Sequence, residues 1–243
     1  MSTELRVTRD RDVWTLALDR PEKRNALSPD LVEALIAAVE DAPRAGARLL
    51  VLRGEGRNFS AGFDFGDMAS VSEGELLRRF VRIEMLLQTI ARSPCLTLAL
   101  THGRNFGAGV DLAAVCRWRV GAPEASYHMP GLGFGLVLGT RRFAALVGAD
   151  AARAILEVSR TFDAAEARAL GFLTEVAPAE AWDEIVAEAR HAACFLPDGS
   201  RAALYEATGH GDGDLDRDLA LLVRSASAPG LRERIIAYLD ARR

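Results

Sequence analysis

Apolar residues along this chain fall into two kinds of pattern that alternate. Short runs are continuously apolar or alternate every second residue, and longer stretches repeat near every 3.6 residues. Val13-Trp14-Thr15-Leu16-Ala17-Leu18 alternates and is rich in strand formers. Leu49-Leu50-Val51-Leu52 and residues 95–100 are continuously apolar, as strands buried on both faces are. Between them, Ser28-Pro29-Asp30 opens a helix with Ser28 as N-cap and Pro29 at the first helical position. Leu31, Leu35, Ile36 and Val39 share its buried face. Residues 54–68 form a loop with four glycines. Residues 73–91 read as a long helix with Leu76, Leu77, Phe80, Val81, Ile83, Leu87 and Ile90 mostly on one side, ended by Pro94. A helix over 108–115 and short strands over 118–121 and 125–128 follow. The first 130 residues thus keep a strand–strand–helix rhythm, with no sequence repeat at a fixed period. The last third predicts helices over 146–158, 163–170, 180–195, 200–207 and 231–241. Residues 197–199 and 209–213 read as linkers.

A chain of 243 residues buries a sizeable core, as one large domain or one domain with a helical appendage. No apolar run approaches the roughly 20 residues that span a bilayer. Residues 1–12 are polar and charged and do not read as a secretory signal. The odd set Cys95, Cys116 and Cys194 reads as reduced, packed thiols, which favours the cytoplasm. The net charge of −4 does not advertise nucleic-acid binding. Lys23 is the single lysine among 30 basic residues. No His, Cys, Asp and Glu positions have metal-ligand spacing. Gly107-Ala108-Gly109 lacks the third glycine of a dinucleotide-binding fingerprint.

Two segments carry the chemistry: Phe59-Ser60-Ala61-Gly62-Phe63-Asp64-Phe65 and Gly103-Arg104-Asn105-Phe106-Gly107-Ala108-Gly109-Val110-Asp111-Leu112. Each puts small residues where a strand gives way to a loop or helix, so a ligand can approach the backbone. Two N–H donors from two such loops would polarise one carbonyl oxygen, as an oxyanion hole does. The pair, in this order and spacing, resembles the crotonase (enoyl-CoA hydratase/isomerase) superfamily. The likeness runs from Leu16 to Val176. It includes the segments 19–27, Gly133-Phe134-Gly135-Leu136 and 164–176.

The resemblance implies an α/β fold, a crotonase-like spiral of ββα units with a C-terminal helical region. It divides the chain into a spiral core over 1–195 and a trimerisation region over 196–243. It implies an acyl-CoA thioester substrate, a homotrimer or dimer of trimers, and no cofactor beyond the CoA of the substrate itself. No nucleic acid, membrane or metal is expected. Carried over by position, the oxyanion donors are the N–H groups of Phe63 and Ala108. Lys23, Arg24, Ala61, Gly62, Phe63 and Asp64 fall in the CoA-binding segments, and Met68, Gly131 and His128 in the acyl pocket.

The acids depart from the family pattern. Hydratases use two glutamates; the first falls at Asp111 and the second at Gly131. The dienoyl-CoA isomerase branch, nearest in form around Asp111, also places an aspartate where this chain has Gly139. Asp111 is the expected catalytic carboxylate. Its bland alternative is a favourable charge at a helix start. Tyr127, His128 and His102 are further candidates for acid–base chemistry, while Asp64 and Asp67 read as braces of the glycine loop. Three readings follow: an acyl-CoA enzyme stabilising a thioester enolate or oxyanion, a non-catalytic acyl-CoA binder, and a thioester hydrolase or decarboxylase.

Overall fold

Alternation in the first forty residues builds a hairpin edge on a parallel sheet. In this computed structural model, which describes residues 4–209 and 211–241, β1 (Leu5–Asp10) pairs antiparallel with β2 (Val13–Leu18). The first three residues of the 1–12 stretch, His210 of the second linker, and the last two residues of the C-terminal region lie outside the described residues. β2 then runs parallel to β3 (Leu49–Gly54), β3 to β4 (Leu96–Thr101), β4 to β6 (Trp118–Gly121) and β6 to β9 (Glu175–Val176). A second sheet joins β5 (Arg104–Phe106), β7 (Ser126–His128) and β8 (Phe162–Asp163).

The chain steps from β4 into β5 and from β6 into β7, so successive turns of the spiral feed both sheets. Helix α1 (Pro29–Arg44) follows β2, α2 (Glu73–Ala91) follows β3, and α3 (Ala108–Ala114) follows β5. Ser28 Oγ accepts from the Leu31 N–H at 3.1 Å, the expected cap, and Ser72 caps α2 in the same way. Both faces of β3 and β4 are covered, which explains their unbroken apolar runs. Leu50, Leu52 and Ala99 face the cluster under α1 and α2. Leu49, Val51, Leu96 and Leu98 face α7 (Trp182–Phe195) through Trp182, Ile185 and Ala189.

The C-terminal third differs from its expected outline in two places. The helix expected over 146–158 is two helices, α4 (Thr140–Val147) and α5 (Ala149–Leu156), broken at Gly148, which caps both. After α6 (Ala164–Ala169), α7 and α8 (Asp198–Thr208), the segment that begins in the second linker is itself helical. It forms α9 (Asp212–Ala226), followed by α10 (Leu231–Asp240). Leu222, Ala226, Leu231 and Ile235 of these two helices are buried in the same cluster as Leu31 and Phe80. Cys95 and Cys116 are buried, but Cys194 is exposed, its thiol against Asp12 at the end of α7. That corrects the expectation of three packed thiols.

Candidate active site

The two glycine-bearing segments meet backbone to backbone. Gly62 has φ +77°, and a Cβ on it would strike the Phe106 carbonyl and lie 3.1 Å from the Ala108 nitrogen. Only glycine permits that approach. A Cβ on Gly109 would likewise fall 2.5 Å from the Ser60 carbonyl. The first segment is held from its other side as well. The Ala61 N–H donates to the Arg24 carbonyl at 2.8 Å, and the Leu27 N–H to the Gly62 carbonyl at 2.7 Å. These bonds leave the N–H groups of Phe63 and Ala108 without an acceptor among the described residues. Both residues line one cavity of about 590 Å³. Two unspent backbone donors beside a cavity can bind one oxygen atom that carries developing negative charge.

Asp111 stands on the first turn of α3 and lines the same cavity. It is 3% exposed, and its Oδ1 has no hydrogen-bond partner among the described residues. Burial pushes its carboxyl well above the usual range, the Arg142 guanidinium counters this, and Glu84 adds to it. The seat of the carboxyl is Gly139. With φ +67°, a Cβ there would land on the Asp111 carboxylate. The place of the isomerase branch's further aspartate is therefore filled by Asp111 itself. Gly131 also lines the cavity, and a Cβ on it would sit 3.1 Å from the Leu136 carbonyl, tight but not closed.

Lys23 and Arg24 are exposed and line the cavity together with Ala61 and Asp64. Asn25 fixes their segment by donating to the carbonyls of Glu55 and Asn58, both at 2.8 Å. Asp64 braces the loop, accepting from Arg20 and from the Gly66 N–H at 2.9 Å each. Asp67 does so too, through two hydrogen bonds from Arg79.

Three expected site residues do not line the cavity. Gly62 serves it only through the close approach just described. Met68 is buried in the core beneath the loop, where its carbonyl accepts from Arg232. His128 is buried on β7 with its ring edge-on to Phe106 and 3.4 Å from the Thr161 hydroxyl. Strand alternation carries its side chain off the cavity while its neighbour Met129 reaches it. Tyr127 is fully buried, bonded to Thr101 at 2.7 Å, and burial pushes its phenol up. His102 hydrogen-bonds the Gly56 carbonyl. Neither lines the cavity. Phe80, Phe134, Leu136, Tyr238 and Leu239 do, although the sequence marked none of them as site residues. Leu231, Ile235 and Leu239 share one apolar face of the helix expected over 231–241, which marks Leu239 only as a packing position. Among the described residues, no cluster of three His, Cys, Asp or Glu side chains is gathered to hold a metal ion.

Comparison with known proteins bears on the family and the fold. The enoyl-CoA hydratase/isomerase family profile matches residues 8–225. A probable enoyl-CoA hydratase, echA6, of Mycobacterium tuberculosis is 36% identical over 183 residues, covering 72% of this chain and 73% of its own. The crystal structure of a Bordetella parapertussis protein assigned to the enoyl-CoA hydratase/isomerases superposes with a TM-score of 0.95. It is 55% identical, with 98% of this chain and 99% of that one covered. An enoyl-CoA hydratase of Bacillus halodurans shares the fold at a TM-score of 0.85 and 20% identity, with 97% and 100% covered.

Proposed function

The chain belongs to the enoyl-CoA hydratase/isomerase family, and we propose that it acts on acyl-CoA thioesters whose carbonyl oxygen sits between the N–H groups of Phe63 and Ala108. The observation that carries this reading is the pair of unspent donors opening on the same cavity as the Asp111 carboxyl, whose Oδ1 has no hydrogen-bond partner among the described residues. Lys23 and Arg24 would meet the phosphates of CoA at the exposed end, as cations do. The assembly is a homotrimer or dimer of trimers in the cytoplasm, and the reaction uses no cofactor beyond the substrate's CoA.

The reaction the residues favour is migration of a double bond along the acyl chain. Hydration needs one group to deprotonate water and a second to protonate carbon. Isomerisation needs one group that removes a proton from one carbon and returns it to another. Here the proton passes to the Asp111 carboxylate, and the electron pair runs into the thioester enolate held by the two N–H groups. The carboxyl then gives the proton back two carbons along. Gly131 offers no second acid, and an elevated carboxyl pKa lies closer to that of a carbon acid, which favours the transfer.

The test is turnover of a 3-enoyl-CoA against hydration of crotonyl-CoA, followed by mass spectrometry. Isomerisation is expected to outpace hydration by at least about 10²-fold, the lower end of what one acid–base group contributes. Hydration at a comparable rate would overturn the single-carboxyl reading. Tight CoA-thioester binding without any turnover would make the protein a binder.

A further inference from the structure

Asp111 is the one charged residue of α3, and the elements packed on that helix decide which charges it meets. β4 brings no charged side chain, and Arg104 of β5 is exposed. α2 buries Glu84, while its arginines Arg78, Arg79 and Arg82 end in ion pairs near the surface. α4 brings Arg141 and Arg142. On the cavity side Glu22, Lys23 and Arg24 are exposed, Asp64 is bonded to Arg20 and the Gly66 N–H, and the Tyr238 phenol and Thr140 hydroxyl are uncharged.

The enclosed charges do not balance. Arg142 gives both terminal nitrogens to Glu84, with Nη2 also 3.3 Å from Asp218. Arg141 gives Nε and Nη2 to the two oxygens of Asp218, at 2.7 and 2.8 Å. Each guanidinium thus has its carboxylate, and Asp111 is the third carboxyl beside two cations. Were all three ionised, a buried region would carry net negative charge, which an interior of low dielectric resists. The proton that relieves it belongs on Asp111, which accepts no hydrogen bond from a guanidinium among the described residues.

Arg142 is also the cation best placed to draw that proton off. It stands one turn after Gly139, whose missing side chain makes room for the Asp111 carboxyl. Its Nε, like Asp111 Oδ1, is buried without a hydrogen-bond partner among the described residues. A donor and an acceptor on two packed helices are left over once the other bonds of the cluster are made. Burial raises the Asp111 carboxyl, Arg142 opposes that rise and Glu84 adds to it.

We propose that Arg142 is a positioning residue for the proton transfer: it acts through Asp111, keeping that carboxyl able to ionise inside the cavity, while Glu84 and Asp218 limit its pull. None of these three side chains lines the cavity. The inference rests on the reading of Asp111 as the proton carrier and adds what keeps it in working order. Through Asp218, α9 acts on a proton it does not touch.

The experiment follows the infrared band of the protonated Asp111 carboxyl against pH in the full chain, the band being identified by its loss in Asp111→Asn. The same pH series is run on kcat/KM for a 3-enoyl-CoA, whose acid limb reports the free enzyme's base. Arg142→Met is expected to move both to higher pH by about one unit or more, with turnover returning as pH is raised. Arg142→Lys keeps the charge and is expected to lie nearer the parent. Glu84→Gln and Asp218→Asn are expected to move both to lower pH. A change that merely loosened the fold would not move the titration in opposite directions for the cation and the carboxylates. If Arg142→Met does not fold, Glu84→Gln and Asp218→Asn carry the sign test. A titration that stays in place in the folded variants, or that moves to higher pH in Glu84→Gln, overturns the inference and leaves the role of Asp111 standing. Full turnover of Asp111→Asn overturns the proton-carrier reading instead.

Discussion

Asp111 carries a cost that its position alone explains. The carboxyl is enclosed, its Oδ1 is unpaired, and burial raises its pKa well above 3.8. The folded chain therefore keeps a proton that the unfolded chain has already released. Stability contributed by that proton is complete below about pH 3.8 and is lost as pH rises through the folded-state value. Asp111→Asn removes the titration. In urea unfolding at about pH 8 the variant is expected to be as stable as the parent or more so, with the gap closing toward acid pH. Its turnover is expected to fall at least about tenfold. Lower stability at alkaline pH with full activity would make the carboxyl structural. Gly139 is the second half of the same arrangement. Gly139→Ala places a methyl on the carboxylate and a Cβ at φ +67°. A loss of about 1–3 kcal/mol is expected, with turnover falling too. In the Asp111→Ala background the clash is gone, so the same change is expected to cost less, which a double-mutant cycle measures. Additive losses would show that the two positions do not touch. The sequence revealed that Asp111 was present and that Gly139 lacked an acid. It did not reveal that the first fact explains the second, because the residues are brought together only by the packing of α3 against the start of α4.

At the scale of elements, a buried ionic cluster ties α2, α4 and α9 together beneath the site. The Arg142 guanidinium donates to both oxygens of Glu84, and Asp218 of α9 lies 3.3 Å from its Nη2. Arg141 reaches Asp218 with two bonds of 2.7 and 2.8 Å. Arg142 and Glu84 are each nearly inaccessible. Removing one partner of such a pair strands the other charge, at about 3–5 kcal/mol. Glu84→Gln is expected to cost somewhat less, about 2–3 kcal/mol, because Asp218 still faces Arg142. Replacing Glu84 and Arg142 together by Met is expected to recover much of the loss, since both charges then vanish. Denaturant midpoints of the two variants and the parent check this, and unchanged stability for Glu84→Gln would rule out a structural pair. The same cluster explains why α9 was illegible in the sequence. Its buried positions are Leu215, Asp218, Leu222 and Ala226, a helical spacing with a carboxylate at one of its four places. An apolar period broken by Asp218 and preceded by the glycines of the 209–213 linker gives no helix signal until its arginine partners are seen. By contrast α1 announced itself, since its cap, its proline and its apolar stripe all agree.

For the whole molecule, what could be read from sequence was what each stretch decides locally. Continuous apolar runs marked strands covered on both faces, and two glycine-bearing segments marked where backbone meets backbone. What escaped were relations across the chain: His128 turning away from the cavity on its strand, and α10 returning to close a wall more than a hundred residues from Gly131. That return also governs how the molecule unfolds. Leu222, Ala226, Leu231 and Ile235 share one apolar cluster with Leu31, Phe80 and Leu52, while Tyr238 and Leu239 line the cavity. Stripping α9 and α10 away would expose the buried side of α2 and open the site at once. A region so placed has no separate core to hold it when the rest melts. Scanning calorimetry of the full chain is accordingly expected to show one cooperative transition, shifted upward as a whole by a bound acyl-CoA. A chain ending at Gly209 is expected to lose that transition and its acyl-CoA binding together. Two resolved transitions, or a shortened chain that still melts cooperatively, would mean that the last two helices fold as a unit of their own. Tyr238 and Leu239 would then reach the cavity by docking, not by folding.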